Sequence, residues 1–196
     1  MLNRLALAGA VFAAIAALLG PQRASAEGNL VLYCAVQEEW CRNMVAAFER
    51  QTGIKVAMSR KSSGEFYAQV QAEASNPSGD IWWGGTRDPH MQAAEEGLTI
   101  QYESPNLAKV HDWAKTQWEQ SKHRAVGVYA GALGYGYNTE LLQKKNGAAE
   151  RKCWVDLTDP RFRDEVQVAD PNSSGTAYTL LATVVQLMGE EKGSII

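Results

Sequence analysis

The chain has 196 residues, of which 45% are hydrophobic and 21% are charged. This ordinary globular composition excludes wholesale disorder and low-complexity scaffolds. The 19 basic and 22 acidic residues give a formal net charge of -3, so the basic excess that a general nucleic-acid binder shows is missing. We therefore expect one or two folded domains and no nucleic-acid partner.

The first 26 residues have the organisation of a secretory signal peptide. Arg4 supplies a positive charge, Leu5–Leu19 forms an apolar run, and Ala24-Ser25-Ala26 provides an A-x-A cleavage site. The alternative is an uncleaved membrane anchor, but the run is shorter than the ~20 residues that span a bilayer. We expect cleavage before Glu27, which also removes Arg23 and leaves a net charge of -5 on an exported chain.

The chain contains three cysteines, Cys34, Cys41 and Cys153. An oxidising compartment allows a disulfide bridge between Cys34 and Cys41, and the alternatives are two free thiols or another pairing. Cys153 is then left over, either buried or without a partner in this chain. The sequence has no C-x-x-C or H-x-x-x-H pair, so we expect no zinc site.

Strand and helix patterns alternate along the first part of the chain. Strand-helix-strand units of this spacing join parallel strands, so the pattern predicts an α/β fold with a parallel sheet. A helix is also predicted over residues 106–122. The predicted strands are 29–34, 54–58 and 80–83, and helices are predicted at 37–51, after Ser62-Ser63-Gly64, and from Gly84-Gly85-Thr86 to near Gly97.

The pattern changes after residue 124. Residues 124–137 have four glycines and no helical period, which predicts two extended segments broken at Gly131. A short strand is predicted at Glu165–Ala169, and a helix follows from Ser173. The predicted apolar face of that helix contains Ala177, Leu180, Leu181, Val184 and Met188.

Four strand-to-helix segments carry small or hydroxyl residues. Ligands of parallel α/β sheets bind beyond the carboxyl ends of the strands, and the N–H groups of helix starts attract anions. For each segment taken alone, capping of its own helix is the alternative explanation. The four segments are Cys34–Glu38, Arg60–Gly64, Gly84–Arg87 and Ser173–Thr176.

We take a set of candidate ligand-binding residues from these segments and from the glycine-rich stretch. Of Tyr129, Tyr135 and Tyr137 in that stretch, at least two are expected to pack half-buried in a sheet. Trp40 is predicted to lie in the core or on its helix face, and the alternative is a platform for ligand. The candidate residues are Gln37, Glu38, Ser62, Ser63, Gly64, Gly84, Thr86, Tyr137, Ser173, Ser174, Gly175 and Thr176.

The sequence gives little support for catalysis. The histidines His90, His111 and His123 are dispersed, although His90 follows Asp88-Pro89 at a predicted helix start, where it would approach the cleft. No G-x-S-x-G elbow or dinucleotide fingerprint is present. Nothing pairs the acidic residues near the loops with a nucleophile or metal, so we expect no catalytic residue, no metal and no cofactor.

Four segments taken together resemble the periplasmic solute-binding proteins of ABC importers. The resemblance is to the branch related to ferric-iron, spermidine/putrescine, and phosphonate or sugar-phosphate binders, and it covers nearly all of residues 29–192. The segments are LVLYCAVQEEW…MVAAFERQTGIKV, KSSGEFYAQVQAEASNPSGDIWWGG, VGVYAGALGYGYNTELL and DLTDPRFRDEVQVADPNSSGTAYTLLATV.

The resemblance implies a periplasmic-binding-protein-like type II fold, with two lobes joined by a hinge and a second lobe that is incomplete. It implies a monomeric periplasmic receptor that captures a small solute between the lobes and delivers it to a membrane permease and its ATPase. The alternatives are an exported enzyme or a chemoreceptor-type sensor on the same scaffold. The implied organisation is a signal peptide (1–26), a first lobe (27–125), a hinge crossing (126–138) and a partial second lobe (139–196).

The chain departs from the ferric-iron pattern of this family. Iron binders of the group use adjacent tyrosines, often with a histidine after the first strand, whereas this sequence has no Tyr-Tyr pair and no histidine in Ala35–Glu38. The hydroxyl and amide loops favour an anionic organic solute, phosphorylated or carboxylated, while polyamine and Fe³⁺ remain open. Family members are also longer, so we expect a truncated or frameshifted member; the alternative is a short protein whose second lobe comes from another chain.

Overall fold

The computed structural model describes residues 28–144 and 152–193. The predicted signal peptide and the last three residues lie outside them. In the first part, helices and strands alternate as the sequence predicted. The elements are β1 (Asn29–Cys34), α1 (Glu38–Thr52), β2 (Lys55–Arg60), α2 (Ser63–Ala72), β3 (Ile81–Trp83) and α3 (Arg87–Glu95).

The three strands form one parallel sheet in the order β2-β1-β3. Leu32 of the central strand pairs with Met58 on one side and Ile81 on the other. The central strand has partners on both edges, and its second half is buried from Leu32 to Cys34. The parallel α/β fold is therefore confirmed, and all three strands end at the same edge of the sheet.

A disulfide joins Cys34, at the end of β1, to Cys41 in the first turns of α1. Both side chains are fully buried and form a cluster with Val36, against which Met58 and Trp83 pack. The proposed pairing is thus present. Cys153 is an exposed free cysteine. The prediction that it has no partner in this chain is therefore confirmed, and the alternative that it is buried is wrong.

A second packed group lies on the other side of the sheet. The ring of Phe66 from α2 is fully buried and stacks on Tyr33 of β1, with ring centroids 4.9 Å apart. The Tyr33 hydroxyl donates to the carboxylate of Glu73 (2.7 Å). Gly79 approaches the Tyr33 ring so closely that a methyl group there would overlap it. These contacts hold α2 on the sheet.

The remainder of the described chain is helical or irregular. Among these residues no helix is both long and apolar enough to cross a membrane. Residues 107–109, 154–158 and 160–162 form short 3-10 helices. The α-helices are α4 (Asp112–Gln120), α5 (Thr139–Lys144), α6 (Gly175–Met188) and α7 (Glu190–Gly193).

Two predictions for this part need correction. The helix predicted over 106–122 is interrupted, because extended backbone at Val110 and His111 separates the 3-10 turn from α4. The strand predicted at Glu165–Ala169 is wrong: Glu165 lies in a turn and the residues after it are irregular. A strand needs a hydrogen-bonded neighbour, and no strand occurs among the described residues after Trp83.

The glycine-rich stretch also has no sheet partner in the described structure. Its residues from 125 to 138 belong to no helix or strand, so the two predicted extended segments are not parts of a ladder. Gly127 lies against the ring of Trp113, where a side chain would collide with the indole. This contact anchors the start of the stretch on α4.

Candidate functional site

The candidate site is built from four loops, which we call the cleft loops. Loop 1 (35–37) follows β1, loop 2 (61–62) follows β2 and loop 3 (84–86) follows β3. All three lie at the carboxyl edge of the parallel sheet, where such folds bind ligands. Loop 4 (172–174) precedes α6 and comes from a distant part of the chain.

Loops 1 and 3 are joined beside the sheet. The Ala35 N–H donates to the carbonyl of Trp83 (2.9 Å), which extends the β1–β3 ladder by one step. Gly84 and Gly85 have φ values of +80° and +95°, a left-handed conformation that glycine adopts without steric cost. At Gly84 the backbone also passes close to the Val36 side chain. The double glycine therefore turns loop 3 tightly across the end of the sheet.

Loops 2 and 4 contact each other through their backbones. The Gly64 N–H, in the first turn of α2, donates to the carbonyl of Ser173 (3.0 Å). The Ser62 hydroxyl lies 2.6 Å from the same carbonyl and 2.6 Å from the Glu65 carboxylate, so its single proton reaches one of the two at a time. The Ser62 hydroxyl and N–H together hold the pKa of Glu65 below its ordinary value. Residues more than a hundred positions apart thus meet here.

Loop 3 meets the start of α6 at Gly175. This glycine is buried, and a methyl group there would overlap the Thr86 hydroxyl and lie 3.1 Å from Ser63 Cβ. The Ser63 hydroxyl accepts from the Thr86 N–H (3.3 Å). The Thr86 hydroxyl is buried and has no hydrogen-bond partner in residues 28–144 and 152–193, although a buried polar atom without a partner is costly. An unsatisfied donor therefore lies at the junction of three loops.

Tyr129 connects the glycine-rich stretch to loop 3. Its hydroxyl accepts from the Gly85 N–H (2.8 Å) and donates to the Gly85 carbonyl (3.1 Å). The ring stands edge-on to Trp40 at 5.8 Å and lies 6.3 Å from Trp83. The alternation of β3 separates the two tryptophans, since Trp82 packs toward Phe66 and His90 and Trp83 toward the disulfide.

His90 holds loop 3 through a hydrogen bond to its backbone. Its Nε2 lies 2.8 Å from the Gly84 carbonyl, and its ring lies 4.0 Å from that of Trp82. Burial lowers the pKa of His90, and the hydrogen bond to Gly84 opposes this shift only in part. In the neutral ring Nε2–H donates to the carbonyl. The structural role of His90 is therefore to join loop 3 to Trp82 of β3.

This environment predicts a pH dependence of stability. The folded pKa of His90 is lowered relative to about 6.5 in the unfolded chain, so the unfolded state binds its proton first as the pH falls. We therefore expect wild-type stability to decrease as the pH drops below about 6.5, in addition to any loss from other groups. His90→Gln, which keeps a donor, should lose less stability between pH 7 and pH 5. Urea unfolding at both pH values measures this, and parallel losses in the two proteins would contradict it.

The structure brings most of the predicted site residues together and leaves a few apart. Gln37 is an exposed residue of loop 1, and Glu38 is exposed at the start of α1, where it forms an ion pair with Arg42. The Ser174 hydroxyl accepts from the Ala177 N–H (3.3 Å) and so caps α6, as the alternative explanation expected. The residues at or beside the cleft loops are Gln37, Ser62, Ser63, Gly64, Gly84, Thr86, Ser173, Ser174 and Gly175.

Two further predicted residues, Tyr137 and Thr176, line a cavity of about 760 Å³, which Ser174 of loop 4 lines as well. Its walls are mostly apolar, and they include the five residues of the apolar face predicted for α6 together with parts of 133–142 and 154–171. The predicted face is therefore confirmed as a common surface. This apolar face of α6 borders an open cavity and not a closed core.

Sequence reasoning missed the contribution of Tyr129 and Trp40. Sheet packing is the predicted role of at least two of the three tyrosines, but the Tyr129 hydroxyl binds the backbone of loop 3. For Trp40 the sequence predicts a place in the core or on the helix face, and its exposed fraction of 51% excludes the core. A lone tyrosine in a glycine-rich stretch gives no local signal of such a contact. In the part of the chain that the structure describes, no group of three or more His, Cys, Asp or Glu side chains is placed to hold a metal ion.

A family model and several known proteins match this chain over most of its length. A family model of bacterial extracellular solute-binding proteins matches residues 76–194. A Haemophilus influenzae protein named only as uncharacterized is 42% identical over 190 residues, which are 97% of this chain and 55% of that protein. The Fe(3+)-binding periplasmic protein of Serratia marcescens is 26% identical over 172 residues, covering 88% of this chain and 48% of the relative.

Two solved structures are similar in both fold and sequence. The periplasmic binding protein P5PA superposes with a TM-score of 0.79 at 41% identity, covering 85% of this chain and 53% of that chain. AfuA from Actinobacillus pleuropneumoniae, solved with exogenous fructose-6-phosphate bound, gives 0.77 at 42% identity, covering 86% and 53%. The chain spans about half the length of the relatives that it matches.

Proposed function

Since this chain belongs to the bacterial extracellular solute-binding protein family, we propose that it acts as the substrate-binding component of an ABC importer, or as part of one. Proteins of this family bind solutes and are not enzymes. In the proposal the chain is exported through a signal peptide cleaved after Ala26 and works in the periplasm. It passes its solute to a membrane permease powered by an ATPase.

We further propose that the solute is a small phosphorylated anion held at the cleft loops. The observation that carries this proposal is the buried Thr86 hydroxyl, a donor without a partner at the point where loop 3, α2 and α6 meet. The first turns of α2 and α6 add the positive ends of their dipoles, while the Gly64 and Ala177 N–H groups already donate to Ser173 and Ser174. The similarity to AfuA, whose structure contains fructose-6-phosphate, supports a phosphorylated ligand.

The proposed lobes fit this arrangement. Loops 1 to 3 belong to the proposed first lobe (27–125) and loop 4 to the partial second lobe (139–196), with 126–138 as the crossing between them. The contact of Gly64 with Ser173 joins the two proposed lobes. It lies beside the site hydroxyls, which are those of Ser62, Ser63 and Thr86. A ligand bound there would touch both lobes, which is how closure of such receptors is coupled to solute capture.

Replacing Thr86 with valine tests the proposal. Valine has nearly the shape of threonine, and the hydroxyl has no partner among the described residues, so a purely structural Thr86 predicts unchanged or slightly higher stability. If the hydroxyl binds phosphate, Thr86→Val should weaken the affinity for inorganic phosphate and fructose 6-phosphate about tenfold. Isothermal titration calorimetry of chain 27–196 measures both affinities.

The matched control is Thr99→Val, because the Thr99 hydroxyl is also buried without a partner but lies outside the cleft loops. It should leave both affinities unchanged. Thermal shifts with inorganic phosphate, fructose 6-phosphate, citrate, spermidine and Fe³⁺ identify the class of solute, because a ligand at 100 times its Kd adds about 2.7 kcal/mol of stability. Stabilisation by Fe³⁺ or spermidine with none by the phosphates would overturn the choice of ligand. No stabilisation by any of them would overturn solute binding.

A further inference from the structure

An aromatic surface lies next to the cleft loops and contributes none of the groups that are proposed to bind phosphate. Trp40, Tyr129 and Trp83 form it, and we call them the aromatic wall. Tyr129 is the central member, with its ring 5.8 Å from Trp40 and 6.3 Å from Trp83. Trp40 is 51% exposed and Tyr129 is 38% exposed.

The exposure of Trp40 is not explained by the packing of its own helix. Met44 and Phe48, one and two turns along the same face of α1, are half-buried, whereas Trp40 is the most exposed of the three. It lies in the first turn of α1, directly after loop 1 and therefore at the carboxyl edge of the sheet. A large exposed aromatic side chain at a ligand-binding edge favours a binding role.

The wall is continuous with the candidate phosphate site. The Tyr129 hydroxyl holds the backbone of Gly85, next to Thr86. Trp83 is fixed from behind by the cluster of Cys34, Val36 and Cys41. Two members of the wall are therefore held by the elements that position the site hydroxyls, while Trp40 is the exposed member beside Tyr129.

We propose that the aromatic wall is the subsite for the sugar ring of a cyclic sugar phosphate whose phosphate lies at the cleft loops. This inference rests on the proposed function and names the part of the ligand that the loops do not recognise. The C–H face of a sugar ring is apolar, and flat aromatic rings bury such a face while its hydroxyls stay hydrated. The loops then supply affinity for the charge, and the wall distinguishes a cyclic sugar phosphate from a shorter phosphate ester.

The test compares three ligands in chain 27–196 and in Trp40→Ala: inorganic phosphate, glycerol 3-phosphate and fructose 6-phosphate. We expect the unaltered chain to bind fructose 6-phosphate about tenfold more tightly than glycerol 3-phosphate. Trp40→Ala should lose about tenfold for fructose 6-phosphate only. Trp40→Phe should recover part of that loss, because it restores an aromatic face.

Tyr102→Ala is the matched control, since the Tyr102 side chain is 65% exposed and lies outside the wall. It should leave all three affinities unchanged. Equal losses for the three ligands in Trp40→Ala, or no loss for any, would overturn the sugar subsite, and the first of these results would assign Trp40 to support of loop 1. Failure of the unaltered chain to bind any phosphate would overturn the proposed function itself. The two failures are therefore distinguishable.

Discussion

Gly64→Ala is expected to weaken the binding of inorganic phosphate by more than tenfold, even though the substitution favours the helix that carries it. Gly64 is the second residue of α2, and a Cβ there would lie 2.5 Å from the Asn172 carbonyl oxygen and 2.8 Å from that of Ser173. Both are backbone atoms, which cannot rotate away as a side chain does. Loop 4 must therefore move, and the Gly64 to Ser173 hydrogen bond is lost.

The opposite directions expected for the stability of α2 and for the phosphate affinity separate the effect of the tertiary contact from that of local helix propensity. Alanine stabilises a helix interior by up to about 1 kcal/mol relative to glycine, so α2 by itself should gain stability. The contact with loop 4 opposes this gain, because relieving the overlap separates the proposed lobes at the point where they meet. We expect stability of the β1–β3 region to be unchanged or higher while phosphate affinity falls.

Gly131→Ala is the matched control, because a Cβ at Gly131 would meet nothing within 4 Å. It should leave phosphate affinity unchanged. Calorimetric titration measures affinity, and hydrogen exchange of the strand amides follows the sheet separately. Unchanged phosphate affinity in Gly64→Ala would show that contact between loops 2 and 4 is not needed for the site.

The sequence was sufficient to predict the elements whose signals are local. The run NLVLYC, the amphipathic helix after it and the hydroxyl residues after each strand predicted the parallel sheet and the loops at its edge. The meeting of Ser173 with Gly64 was expected only in outline. Which backbone atoms touch depends on packing between segments more than a hundred residues apart, and no local pattern encodes that.

The surroundings of Trp40 and Tyr129 and the incorrectly predicted strand at 165–169 also depend on contacts that no local sequence pattern encodes. Val166 and Val168 alternate as a strand would, but both are more than 40% exposed and have no ladder partner among the described residues. Alternation reports a preference for extended backbone and does not report whether a neighbour exists to pair with it. Likewise, Trp40 repeats at helical spacing with Met44 and Phe48, yet the position of Tyr129 decides what it faces.

The second large effect concerns the disulfide. We expect the Cys34→Ala/Cys41→Ala double variant to lose about 2–3 kcal/mol of stability, the range for closing a short loop in the unfolded chain. Both sulfurs are fully buried at the end of β1 and the start of α1, so the bridge also fixes loop 1 and Trp40 against the sheet. Urea unfolding of the parent, the double variant and Cys153→Ser measures the loss, and the last should be neutral because Cys153 is exposed and free.

Thiol counting gives an independent measurement on the same proteins. Without reductant the parent should show one reactive thiol, from Cys153, because the sulfurs of Cys34 and Cys41 are bonded to each other. Unfolding in reductant should give three reactive thiols. Three reactive thiols in the folded, untreated chain, or a double variant as stable as its parent, would contradict the prediction. If the bridge positions Trp40, the double variant should also weaken fructose 6-phosphate binding more than inorganic phosphate binding. A loss of stability with equal changes in both affinities would limit its role to the core.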